Sequence, residues 1–334
     1  MKRYLVLLAL LALAIGALSV PITAQRRLGV EPSNYAPLFE TLGPPEPTTT
    51  VEGTPSAPPV TVHLGTAGAW PGEPCGESWY SWVSTGIETA PPERVALDKL
   101  ANGTTNEYTR EMAERARLDP VDGRVWLLFN EPDTGSESAY EDDPKLAARV
   151  YWEAYVALKA ARSDVIVGGP NYYWAGEIDT QTNTYEKQNW WFLAFTKELD
   201  TLNLRHAVQA KIEVLTLHDY AGRYHDGTRT VIDWGIMEEH IDWLRFLGKV
   251  RGCFDTDVPI WITETGMLWP EADTQAFMNS LLIWLGGAEA LGIERCYWFV
   301  SYDSWWWANV PNTCLYDPSG QLTALGQQWK AAGE

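Results

Sequence analysis

From Val125 to the C-terminus, two hydrophobic patterns take turns. Short runs of apolar residues with almost no polar interruption occur at Val125–Phe129, Val165–Val167, Ile212–Leu217, Pro259–Thr263 and Cys296–Val300. Such runs are the mark of strands buried on both faces. Between them the apolar positions recur with a helical period. The stretch Pro144–Arg162 carries Ala147, Val150, Tyr151, Ala154, Leu158 and Ala161 on one stripe, with Asp143 as N-cap and Pro144 in the first turn. Helices are likewise expected at Gln188–Leu199, Ile236–Val250, Thr274–Leu291 and Leu322–Ala332. Regular strand–loop–helix units mean a parallel α/β sheet, and the number of units predicts a closed (β/α)8 TIM barrel.

The first third is less regular. Val60–Leu64, Trp79–Val83 and Arg94–Leu97 supply the three strands the barrel still needs, and Thr105–Leu118 reads as a helix stopped by Pro120. The barrel domain is therefore expected over 60–334, with a reduced or irregular N-terminal third. Ahead of it lie two segments of other character. Lys2-Arg3 followed by the apolar run Tyr4–Val20 has the form of a secretion signal, expected over 1–24; an uncleaved anchor is the alternative. Residues 25–59, rich in Pro and Thr, form an extended linker. A secreted or cell-surface protein is implied.

Two of the buried strands end in a carboxylate. Val125–Phe129 runs into Asn130-Glu131-Pro132-Asp133, and Pro259–Thr263 delivers Glu264. A charge at the end of a buried strand costs solvation unless a site uses it. In a barrel, every strand's C-terminal end opens on one face, so Glu131 and Glu264, on the fourth and seventh strands, would converge there. Two carboxyl groups about 5–5.5 Å apart can split a glycosidic bond with retention, one as acid/base and the other as nucleophile. Asn130 is placed to bond a sugar 2-hydroxyl. Asn171 follows the fifth strand and is a candidate for lining the cleft. Tyr172, Tyr173, Trp174 and Trp305–Trp307 fall on loops of the same face, where flat rings stack on sugar C–H faces.

Composition agrees with that chemistry. The net charge of −19 over 334 residues argues against nucleic acid or an anionic membrane as partner, while a neutral glycan stays open. There are 18 tryptophans, roughly half of which should be core, since Trp is on average highly buried. Five histidines have no metal-ligand spacing, and there is no phosphate-binding glycine loop or dinucleotide fingerprint, so neither a metal nor a cofactor is expected. Cys75, Cys253, Cys296 and Cys314 allow three pairings; Cys253 with Cys296 is the favoured disulfide, buried free thiols the alternative.

Phe129-Asn130-Glu131-Pro132-Asp133 resembles the Asn-Glu-Pro acid/base motif of clan A glycoside hydrolases, and Trp261-Ile262-Thr263-Glu264 resembles their seventh-strand nucleophile motif. His218-Asp219-Tyr220 is similar to the clan's His-x-Tyr, whose tyrosine bonds the nucleophile. Trp298 stands where the clan has an eighth-strand Trp flooring the −1 subsite. Trp79-Tyr80-Ser81-Trp82 and Tyr297-Trp298-Phe299 look most like the glycosyl hydrolase catalytic-core family, which includes endo-β-1,3-glucanases. The resemblance implies a retaining β-glucan hydrolase, and the aromatics on several active-face loops suggest an extended cleft and endo action. In such a hydrolase Glu131 is acid/base and Glu264 nucleophile, and Asn130, His218, Tyr220, Trp298, Asn171, Trp82 and Trp305 touch a polysaccharide or oligosaccharide. The protein is expected to be a monomer. The alternative is a carbohydrate-binding protein on a barrel that has lost catalysis.

Overall fold

The structure is a computed structural model. It describes residues 62–68, 77–80, 90–92, 94–98, 100, 106–134, 140–174, 184–220, 223–225, 230–232, 234–267 and 273–334. The leader, the linker, Cys75, Trp82 and the loop holding Trp269 lie outside them. Among the described residues no helix is long and apolar enough to cross a membrane.

Eight parallel strands close into a ring. In chain order they are β1 (His63–Ala67), β2 (Ser78–Tyr80), β3 (Arg94–Asp98), β4 (Val125–Leu128), β5 (Ile166–Trp174), β6 (Val214–Asp219), β9 (Ile260–Thr265) and β10 (Ile293–Phe299). Each pairs with the next, and β10 closes on β1. A short antiparallel hairpin, β7 (Arg223–His225) and β8 (Thr230–Ile232), is inserted after β6. The helices are α1 (Asn106–Leu118), α2 (Pro144–Ala161), α3 (Thr184–Arg205), α4 (Trp234–Gly248), α5 (Thr274–Ala288), α6 (Ser304–Asn309) and α7 (Ala324–Gly333). The (β/α)8 expectation therefore holds, including the three strands of the first third.

The barrel separates two apolar layers. Inside it, Ala67, Val95, Leu97, Leu127, Val214, Trp261 and Tyr297 pack together. Outside it, Leu64, Trp126, Leu128, Val167, Leu215, Ile262 and Trp298 meet the inner stripes of the helices. Helix α2 shows how a stripe is anchored: the Asp143 carboxylate accepts from the Leu146 N–H at 2.9 Å, and Ala147, Tyr151, Ala154 and Leu158 are buried. Such a cap is worth about 1 kcal/mol. Gly65 is needed for closure, because a Cβ there would sit 2.6 Å from the ring of Tyr297.

Two expectations change. Strand β5 does not stop at Val167; it continues through Gly168-Gly169-Pro170-Asn171 to Trp174. It does so with one extra residue relative to β6, where Pro170 pairs with Thr216 and Tyr172 with Leu217. The disulfide is absent as well: Cys253, Cys296 and Cys314 are buried free thiols. Cys296 lies inside β10. The Cys253 thiol instead points to the Thr196 carbonyl of α3 at 3.8 Å.

Candidate active site

The ladder of β4 ends at Leu128, and the chain then takes an uncommon path. Phe129 and Glu131 have φ of 72° and 44°, left-handed values that residues with a Cβ adopt at a cost. The path is held by neighbours. The Glu131 N–H donates to the Asn171 carbonyl at 2.9 Å, and Thr134 closes a turn onto the Glu131 carbonyl. The result lifts the Glu131 side chain to the barrel mouth, where it is 16% exposed.

Glu264 reaches the same mouth by a different device. A regular strand would point Thr263 and Glu264 to opposite faces. In β9 the pairing slips by one residue against both neighbours: Leu217 pairs with Ile262 and His218 with Glu264, while Cys296 pairs with Ile262 and Trp298 with Thr265. Such a bulge re-aims a side chain, and here it turns Glu264 inward. Its carboxylate accepts from the Tyr220 hydroxyl at 2.6 Å and from the Tyr80 hydroxyl at 3.3 Å, one on each oxygen.

His218 stands between the two carboxylates. Its Nδ1 is 2.9 Å from Glu131 Oε1 and 3.5 Å from Glu264 Oε2. The donor atoms of Glu131, His218 and Glu264 all lie within 4.8 Å of one another, so the same trio could also offer ligand atoms to a cation. Burial of the ring opposes the charged imidazole, but the charges of Glu264 and Glu131 together with the bond to Glu131 outweigh it, and the His218 pKa rises. Burial and the charge of Glu264 push the hydroxyls of Tyr80 and Tyr220 well above the usual phenol range, so both remain donors.

Asp133 is the third acidic residue of the mouth. It is buried, accepts the Tyr173 N–H at 2.7 Å through Oδ1, and has no partner on Oδ2. Burial lifts its pKa to about 8, partly offset by that N–H. Near neutral pH it is largely a neutral acid.

The other sequence candidates divide. Asn130 is buried beside Glu131. Asn171 is 0% exposed and sits inside β5, so it does not line the cleft. Trp298 is also 0% exposed and faces the helix layer. Its indole N–H donates to the Thr313 carbonyl at 2.8 Å, and its ring packs on Phe277 and Trp329. The inward residues of β10 are Tyr297 and Phe299, so Trp298 does not face the mouth as expected. Around Phe299 an aromatic arc runs Tyr173, Tyr220, Phe299, Trp306, with neighbouring ring centroids 5.2–6.1 Å apart. Trp305 belongs to α6, its side chain outside the described set, and Trp82 lies outside it altogether. Sequence reasoning missed Tyr80, Asp133 and Thr263 as members of the site. The signal for each is local: Tyr80 closes β2, Asp133 follows the Asn-Glu-Pro turn and Thr263 immediately precedes Glu264.

A family model described as the glycosyl hydrolase catalytic core matches residues 76–329. Among solved structures, the chain is similar to a GH128 subgroup II endo-β-1,3-glucanase from Sorangium cellulosum. The identity is 19% and the TM-score 0.53, over 81% of this chain and 98% of that one. It is also similar to a GH128 subgroup VII oligosaccharide-binding protein from Cryptococcus neoformans, at 16% identity and TM-score 0.51, over 85% and 98% of the two chains. No match is found among curated proteins.

Proposed function

The chain belongs to the glycosyl hydrolase catalytic-core family, and on that premise we propose that it is a retaining β-glycoside hydrolase acting within a β-glucan. The observation that carries the reading is the approach of Glu131 and Glu264, with carboxylate oxygens within 4.8 Å. That spacing supports a direct attack on the anomeric carbon; an inverting pair needs about 6.5–9.5 Å to admit a water. Glu264 is the more enclosed of the two at 5% exposure, and two phenol hydroxyls fix the plane of its carboxylate. It is the nucleophile. Glu131 has the freer side chain, which suits a group that meets first the leaving oxygen and then water.

In the first step a Glu264 oxygen bonds to the anomeric carbon, the glycosidic C–O bond breaks, and the leaving oxygen takes the proton of Glu131. In the second, Glu131 takes a proton from water, the water oxygen displaces Glu264, and the sugar leaves with its configuration kept. Asn130 bonds the 2-hydroxyl. The neighbouring Glu264 and Glu131 favour the protonated form of His218. The arc from Tyr173 to Trp306 is the stacking surface for successive sugars. Export by the 1–24 leader puts the enzyme where polysaccharides are.

The solved relative from Sorangium cellulosum makes β-1,3-glucan the first substrate to try. The other relative is an oligosaccharide-binding protein, which keeps a binding role as the second reading. Incubation of the purified domain with laminarin, cellulose, xylan, mannan and galactan separates them. Reducing sugar from one substrate, with the β-anomer appearing first by NMR, supports the enzyme. Binding without release on every substrate rejects it.

A further inference from the structure

Asn171 is fully buried, yet all of its polar groups are engaged, and they reach three other strands. Its backbone carbonyl accepts from the Glu131 N–H at 2.9 Å, and its side-chain Nδ2 donates to the Phe129 carbonyl at 2.9 Å. Both bonds hold the left-handed turn that carries Glu131. Its backbone N–H donates to the Thr216 hydroxyl of β6 at 2.9 Å. Its side-chain Oδ1 accepts from the Thr263 hydroxyl at 3.0 Å, a hydroxyl shared with the Leu217 carbonyl. Thr263 is the residue before Glu264, inside the bulge that turns Glu264 inward. Asn171 itself, at φ 51°, is the extra residue in β5. One amide thus ties two strand irregularities together, and each irregularity delivers one glutamate.

We propose that Asn171 is a positioning residue whose side chain sets the spacing of Glu131 and Glu264 by joining the turn after β4 to the bulge of β9. The proposal deepens the hydrolase reading and rests on it for its kinetic consequence; the spacing itself can be read without turnover. Asparagine suits the position twice over. It tolerates φ near +50° better than other residues with a Cβ, and its amide offers a donor to one strand and an acceptor to the other.

Asn171→Gly keeps the backbone conformation and both backbone hydrogen bonds while removing the two side-chain links. Thr263→Val removes the hydroxyl from the other end. For each, kcat should fall about 100-fold, the cost of a displacement of about 1 Å at the reacting centre. KM should stay within about threefold, because Asn171 touches no sugar. The double variant should fall no further than either single one, since both cut the same link. His218 is the probe that needs no substrate. Its Nδ1 lies against both carboxylates, so its NMR titration should move to lower pH in Asn171→Gly as the carboxylates part.

A normal kcat in a folded Asn171→Gly, with an unmoved His218 titration, overturns the proposal, and so do additive losses in the double variant. If the parent protein hydrolyses nothing while the His218 titration still shifts, the enzyme reading falls and the positioning role stands. Asn171→Asp checks against mere structural damage. Only the protonated acid can donate to Phe129, so its activity relative to the parent should recover as pH falls; a ratio independent of pH counts against the amide link.

Discussion

The two ends of the barrel are built to opposite rules. At the base, where strands begin, the buried cation Arg124 has a bond for every nitrogen. It meets Asp119 at 2.7 Å, the Pro91 carbonyl at 2.9 Å, the Ala90 carbonyl at 3.1 Å and the Arg94 carbonyl. Nearby, the guanidiniums of Arg94 and Arg295 lie over the rings of Trp79 and Trp261. At the mouth, where the strands end, like charges are gathered rather than paired off. Glu131, Glu264 and Asp133 surround one histidine. The three non-glycine residues with left-handed φ among the described residues are all there too. The base lowers the free energy of the fold, and the mouth gives some of it back to hold an arrangement that water would otherwise disperse.

Substitutions at each end should therefore fail in different ways. The largest effect belongs to Glu264→Gln. Hydrolysis should drop by at least about 10³-fold, while the melting temperature holds or rises because one of the crowded charges is gone. A fully active variant would remove Glu264 from the chemistry. Arg124→Met at the base should do the reverse. It strands Asp119 as a buried charge, at about 3–5 kcal/mol of stability by urea unfolding, yet kcat per folded molecule should be unchanged. Loss of activity without loss of stability would erase the distinction between the ends.

Within the mouth, the two tyrosines on Glu264 should be graded by their bonds. Tyr220, at 2.6 Å, makes the shorter hydrogen bond to a carboxylate, a class worth about 1.5–3 kcal/mol. Tyr220→Phe should then slow kcat about 10- to 100-fold. Tyr80, at 3.3 Å and also bonded to the Thr263 carbonyl, should cost about tenfold or less on the same scale. Equal losses would mean that the mouth holds Glu264 symmetrically in solution.

The sequence was legible where a strand is a continuous apolar run and a helix follows it, from β4 onward. The β4 and β9 runs point to Glu131 and Glu264, and the His-x-Tyr at the end of β6 points to His218 and Tyr220. What could not be read was which face each residue takes. A strand buried on both sides has no alternation to check a facing against, and the clan resemblance puts Trp298 at the cleft where β10 presents Tyr297 and Phe299 instead. The bulges at Asn171 and Thr263 were equally hidden, because an extra residue in a strand shows only against its partners. The first third was faint because β2 is three residues long and depends on its neighbours more than on its own pattern.

The smallest effect, and the subtlest test of the contrast, is the pH dependence of stability. The slope comes from the mouth. Asp133 is one source. Its pKa is about 8 in the folded protein against about 3.9 for an unfolded Asp. Between those values the native state binds the proton that the unfolded state has lost, so stability falls as pH rises from about 4 to about 8. His218, raised above its ordinary value, adds stability that is complete below about 6.5 and is lost as pH climbs through its folded value. Both groups tilt the curve the same way. Asp133→Asn mimics the neutral acid and still accepts from the Tyr173 N–H. It should match the parent near pH 4 and pull ahead by pH 8, by about 2–4 °C in melting temperature for each kcal/mol recovered. The downward slope left above pH 6.5 would then belong to His218. If the parent and Asp133→Asn melt in parallel from pH 4 to 8, Asp133 is ionised with a partner on Oδ2, and the mouth is less strained than its geometry implies.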